Sequence, residues 1–135
     1  MKKILILNTE LGTQMQIYLA LCDAYKIEIA EDVESVMYYL RKMKPEIFLL
    51  DYNLQEIEPG GRNGADLVKK IKRKYSHLKV MMILDTEDRG LESQAHQYGA
   101  DEVLFKPIKN RNLISYVNRL ATTTVAKSVL NPNIT

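Results

Sequence analysis

Short runs of apolar residues recur along the chain, separated by longer stretches in which apolar residues return every three or four positions. The runs are Lys3–Leu7, Lys26–Ala30, Ile47–Leu50, Val80–Leu84 and Glu102–Phe105. Three of them are nearly continuous in Ile, Leu, Val, Met or Phe, the composition of strands buried on both faces. Between the runs, Met15, Tyr18, Leu19 and Cys22 follow the spacing of an apolar helix stripe. Val33, Val36, Met37, Leu40 and Met43 form a second stripe, Leu67, Val68, Ile71 and Tyr75 a third, and Leu113, Val117 and Leu120 a last one. The stretch from Thr86 to Tyr98 has only Leu91, Ala95 and Tyr98 on its apolar side, which predicts the weakest and most exposed helix.

Chain punctuation agrees with this division. Pro45 closes the second helix and Gly99 stands where a left-handed cap would end the fourth. Pro59, Gly60, Gly61, Asn63 and Gly64 crowd one loop after the third strand, which must be irregular. Strict alternation of strand and helix implies an α/β fold. Its five strands form a parallel, doubly wound sheet with helices on both faces. Residues 1–121 form one domain, and 122–135, rich in Thr, Ser, Asn and Pro, are expected to be a tail or linker.

Composition narrows the setting. The chain has 135 residues, 46% hydrophobic and 27% charged, enough for one core and unlike a disordered protein. A net charge of +2 gives no strong pull toward nucleic acid or an anionic membrane. The basic cluster Lys69, Lys70, Lys72, Arg73 and Lys74 is read as a solvated helix face. Cys22 is the one cysteine and is expected to be a core thiol. No stretch approaches the ~18 apolar residues of a membrane span. Asn8 and Glu10 cut the first apolar run too short for a signal peptide, so a cytoplasmic location is expected.

In an open parallel sheet, reactive groups and ligands collect beyond the carboxyl ends of the strands. Those ends carry Asn8, Thr9 and Glu10 after the first strand and Asp51 after the third. Asp85 and Thr86 follow the fourth, and Lys106-Pro107 the fifth. An aspartate directly after Ile47-Phe48-Leu49-Leu50 projects its carboxylate from a rigid base, and a lysine after the fifth strand could pair with it.

These residues carry a resemblance. Leu49-Leu50-Asp51 with Leu54 three residues on, Gly99-Ala100-Asp101, and Lys106-Pro107 resemble the response-regulator receiver domains of two-component signalling. The resemblance implies a flavodoxin-like receiver fold and a signalling domain, not an enzyme. Asp51 would accept a phosphoryl group from a histidine kinase, forming an acyl phosphate. Lys106 would offset the charge of that group, its bond to Pro107 being cis. The metal implied is Mg²⁺, held by Asp51, the backbone carbonyl of Asn53 and, after a change of register, Glu10. The partners implied are a histidine kinase or other signalling protein. A second copy could dock on the face made by helix four, strand five and helix five, where Arg89, Glu92, Gln94, Gln97, Arg111 and Arg119 are the contact candidates.

Four departures cluster at the site. Receivers generally place an acidic pair after strand one, where this chain has Asn8 and Thr9. Leu84 stands where Ser or Thr is usual, with Thr86 two residues too late. Val103 replaces the usual aromatic switch residue. The loop from Asp51 to Gly64 is about five residues longer than is usual in a class of connection that is normally short. The expectation is an atypical receiver, a pseudo-receiver, that binds Mg²⁺ weakly and regulates through protein contacts. The alternatives are a receiver that is phosphorylated on Asp51 and a flavodoxin-like protein that binds a nucleotide or flavin.

Overall fold

Each strand is followed by a helix that carries the chain back to the same end of the sheet, so all neighbouring strands run parallel. The computed structural model describes residues 1–51 and 64–130, with side chains described as far as residue 122. The elements are β1 (Lys2–Leu7), α1 (Leu11–Leu21), β2 (Tyr25–Ala30), α2 (Val33–Lys42), β3 (Ile47–Asp51) and α3 (Gly64–Lys74). They continue with β4 (Lys79–Leu84), a 3₁₀ turn (Thr86–Leu91), α4 (Glu92–Tyr98), β5 (Glu102–Phe105) and α5 (Asn110–Leu130). The strand order is β2-β1-β3-β4-β5, the flavodoxin-like arrangement expected from the alternating pattern.

Strand side chains alternate between two cores. Leu5, Phe48, Leu50, Val80 and Met82 pack under α2, α3 and α4, while Ile4, Ile6, Leu49, Met81 and Ile83 pack under α1 and α5. β3 lies in the middle of the sheet, and all five of its residues are buried, Asp51 among them. The stripes expected for α2, α3 and α5 face the cores as read: Val36, Leu40, Leu67, Val68, Ile71, Leu113, Val117 and Leu120 are buried.

α1 reverses the expectation. Its buried face is Gln14, Ile17 and Leu21, whereas Met15, Tyr18 and Leu19 are 48%, 42% and 65% exposed. Cys22 is the C-cap and is partly exposed, not a core thiol. The helix is apolar on two flanks, and the inner stripe was hidden because it begins with a polar amide. Gln14 can be buried because its Nε2 donates to the Asn8 carbonyl at 2.6 Å and to Glu31 Oε2 at 2.9 Å.

Two other boundaries differ. The stretch after β4 is a six-residue 3₁₀ turn with a kink at Asp88, followed by only seven residues of α-helix, of which Ala95 alone is buried. With no buried side chain between Thr86 and Leu91 and a glycine at position 90, little sustains a longer helix. α5 continues to Leu130, beyond the expected start of the tail near 122, since no proline or glycine interrupts it before Pro132. The glycine-rich loop lies outside the described residues as far as Asn63, and Gly64 opens α3.

Gly99 ends α4 at φ 123°, and its amide donates to the His96 carbonyl at 3.1 Å. A Cβ there would lie 2.9 Å from Cγ of Lys72. Lys72 is held in place by the Leu78 carbonyl at 2.8 Å and Asp101 at 3.2 Å. Gly99→Ala is therefore expected to destabilise the fold by about 1–3 kcal/mol, read as a lower urea midpoint with unchanged slope. Phe48→Ala, emptying the middle of the sheet, is expected to cost about 3–5 kcal/mol in the same measurement.

Candidate functional site

Three strands deliver three polar side chains to one rim. Backbone pairing continues past the strand ends: the Asn8 N–H donates to the Ala30 carbonyl at 3.1 Å, and the Lys106 N–H to the Leu84 carbonyl at 2.8 Å. Asn8 after β1 and Lys106 after β5 are thus fixed in the same layer as Asp51 at the end of β3. Asp51 is 6% exposed and Asn8 is 1% exposed. Lys106 Nζ donates to Asp51 Oδ2 at 3.0 Å, and Asn8 Nδ2 donates to the same oxygen at 2.9 Å. The structure brings Asp51 and Lys106 together, as the sequence pattern implied.

A carboxylate taken out of water needs an opposite charge and hydrogen-bond donors, and Asp51 has both. Lys106 also faces Asp85, whose Oδ1 lies 3.9 Å from the ammonium. Thr86 anchors the base of the lysine by donating its hydroxyl to the Lys106 carbonyl at 2.6 Å. The Lys106-Pro107 bond is cis.

The orientation of Asn8 decides what else can bind. Its Oδ1 accepts the Glu10 N–H at 2.7 Å, which leaves Nδ2 pointing at Asp51. Turning the amide round would offer a carbonyl oxygen to the site but would break both bonds. Asn8 is further braced by Gln14, a contact invisible in the spacing of charged residues. Glu10 is exposed, and its carboxylate accepts the Thr13 hydroxyl within the first turn of α1. Asn53, the other residue implied as a metal ligand, lies outside the described residues. Mg²⁺ favours several hard oxygen ligands including carboxylates, and this rim presents an amide N–H where an oxygen would be wanted. Among the described residues no three His, Cys, Asp or Glu side chains converge as a metal site. Among the described residues the donor set does not fit Mg²⁺ well.

The two remaining positions that depart from the family pattern within the described residues are apolar. Leu84 and Val103 are buried in the core shared with α2, α3 and α4, so neither side chain offers the rim a polar group. Arg89 stacks over the Phe105 ring at 4.4 Å, and Arg119 pairs with Glu102 at 2.6 Å. A depression of about 360 Å³ is lined by Thr86, Arg89, Phe105, Lys106 and Tyr116 among others. Glu92, Gln94, Gln97 and Arg111 are exposed on the neighbouring helices. In the basic cluster, Lys72 is a structural residue tied to Asp101, which also accepts the Val80 N–H at 2.9 Å. The Gly99-Ala100-Asp101 segment thereby joins α3 to β4 and β5, a role that spacing alone did not reveal.

Comparison with known proteins agrees with this geometry. The response regulator receiver domain model matches residues 6–118. The sensory transduction protein LytT of Oceanobacillus iheyensis is 24% identical over 105 residues, 78% of this chain and 41% of that protein. The N-terminal signal receiver domain of a two-component system response regulator from Bacteroides fragilis is 25% identical, with a TM-score of 0.81 over 90% of this chain and 98% of that one. NtrX from Brucella abortus is 23% identical with a TM-score of 0.84, over 95% of this chain and 29% of that one. The chain thus spans well under half the length of LytT and of NtrX. A match over nearly all of the sheet, around an aspartate and a lysine meeting at its carboxyl edge, means that this chain belongs to the response regulator receiver domain family.

Proposed function

We propose that this receiver domain regulates through protein contacts, with Asp51 held in a closed, salt-bridged state that binds Mg²⁺ weakly and accepts phosphate poorly. The observation that carries this reading is the Asn8 amide, which donates to Asp51 at 2.9 Å while its own oxygen is occupied by Glu10. The donated hydrogen satisfies the carboxylate where the family's acidic pair would gather a cation. Leu84 and Val103 support the same reading. A phosphoryl oxygen on Asp51 would find no hydroxyl at position 84, and position 103 has no aromatic ring to move.

The partner is a histidine kinase or another signalling protein. Its docking surface, which could equally take a second copy, is the α4–β5–α5 face with Arg89, Arg111 and Arg119 at hand. A second reading, phosphorylation of Asp51, is favoured by one observation, the Lys106 ammonium 3.0 Å from the carboxylate. In that chemistry an Asp51 oxygen attacks phosphorus and the bond to the donor's leaving atom breaks. Lys106 offsets the charge gathered on the phosphoryl oxygens. A flavin or nucleotide reading is weaker, because the Glu10 carboxylate stands at the start of α1, where a phosphate would otherwise be favoured. Among the described residues no helix is long and apolar enough to cross a membrane.

Treatment with acetyl phosphate and Mg²⁺, followed by intact-mass measurement, is expected to leave the wild type unmodified. A phosphoryl adduct on the wild type that is missing from Asp51→Asn contradicts the proposal. Asn8→Asp puts a second carboxylate against Asp51 and is expected to tighten Mg²⁺ binding by about tenfold or more, measured by calorimetry. Lys106→Met removes the ammonium 3.0 Å from the buried Asp51 carboxylate and is expected to cost about 1–3 kcal/mol of stability. Adding Asp51→Asn should recover most of that loss in the double variant, measured by urea unfolding.

A further inference from the structure

We propose that the open edge of β2 and the exposed apolar flank of α1 form an interface between two copies of this chain, paired antiparallel about Ile27. The proposal does not depend on the state of Asp51, and β2 and β5 are the two opposite edges of the sheet. A dimer through β2 leaves the α4–β5–α5 face free.

The backbone sets the register. The Ala30 carbonyl accepts the Asn8 N–H at 3.1 Å, so Ala30 turns its polar groups toward β1. By alternation Glu28 and Lys26 do the same, while Tyr25, Ile27 and Ile29 present their N–H and C=O groups to the open edge. Antiparallel pairing about Ile27 sets Ile27 against itself and Tyr25 against Ile29, all of them hydrogen-bonding positions. Nothing in the strand needs to shift.

The charges select the same register. It places Lys26 opposite Glu28 of the second copy, twice over. Within one copy Lys26 sits across from Lys3 in β1, an unfavourable like-charged neighbour, and Lys3 turns its ammonium to the Met43 carbonyl at 3.1 Å. A pairing centred on Lys26 or on Glu28 would instead put a like-charged pair on the axis. Charges on an edge strand ordinarily block pairing; these two are self-complementary.

The apolar surface lies beside that edge. Among the described residues seven large apolar side chains are exposed, and four of them are Leu11, Met15, Tyr18 and Leu19 of α1. Gln16, on the opposite flank of the helix, reaches toward α5 by donating to the Ile108 carbonyl at 2.7 Å. The exposed stripe therefore looks away from α5, toward the β2 edge. Ile27 and Ile29 are only partly buried on the same face of the sheet. Pairing β2 with its copy brings the two α1 stripes side by side over the new strand pair and removes this surface from water.

Sedimentation of the full chain over a range of concentrations tests the proposal. The wild type is expected to form a dimer. Lys26→Glu and Glu28→Lys should each weaken it by about tenfold or more, and the double variant, with the charges exchanged, should restore it. Leu19→Glu, at a position 65% exposed, should also weaken the dimer while circular dichroism shows the fold intact. A chain that stays monomeric overturns the proposal. So does a dimer indifferent to the single reversals or to Leu19→Glu, or one that the exchanged pair fails to restore.

Discussion

The burial of one carboxylate organises the functional end of this molecule. Asp51 stands at the end of the most enclosed strand, where an unpaired charge would be costly. Among the described residues its compensation comes from an ammonium after β5 and an amide after β1. These contacts tie together the carboxyl ends of β1, β3 and β5. The rim is a closed polar network on an apolar base, and each member limits what its neighbours can bind.

Scaffold and site have different physical needs. The scaffold requires apolar residues at alternating strand positions and at helical spacing, and it tolerates exchanges among Ile, Leu, Val and Met. The site requires particular oxygens at particular points. Leu84 and Val103 belong to the first requirement: both add to the core under α2, α3 and α4, in places where the family usually keeps polar or mobile groups. Asn8 belongs to neither alone. It extends the β1 pairing through its backbone and donates a hydrogen bond to Asp51 through its side chain, which makes it the residue on which the functional reading turns.

The strands were legible because residues buried on both faces form continuous apolar runs. Asp51 and Lys106 were legible because their places follow from where those runs stop. The buried face of α1 was not, because the helix is apolar on two flanks and periodicity favours the more continuous one, here the outward stripe. The donor role of Asn8 could not be read either, since the same side chain can offer an oxygen or an N–H. Only the Glu10 amide settles which end faces Asp51. The α4 region broke at Asp88 for lack of apolar support. α5 ran on past Thr122 because weak helix formers without a breaker do not end a helix.

The central claim is that an amide hydrogen occupies the position from which a cation would act on Asp51. Its most direct test follows the Asn8 side-chain amide by nitrogen-edited NMR while Mg²⁺ is added. Resonances that stay in place through concentrations that saturate an acidic-pair receiver are the predicted result. A saturable shift of the Asn8 amide at sub-millimolar Mg²⁺, with release of its bond to Asp51, would contradict the account.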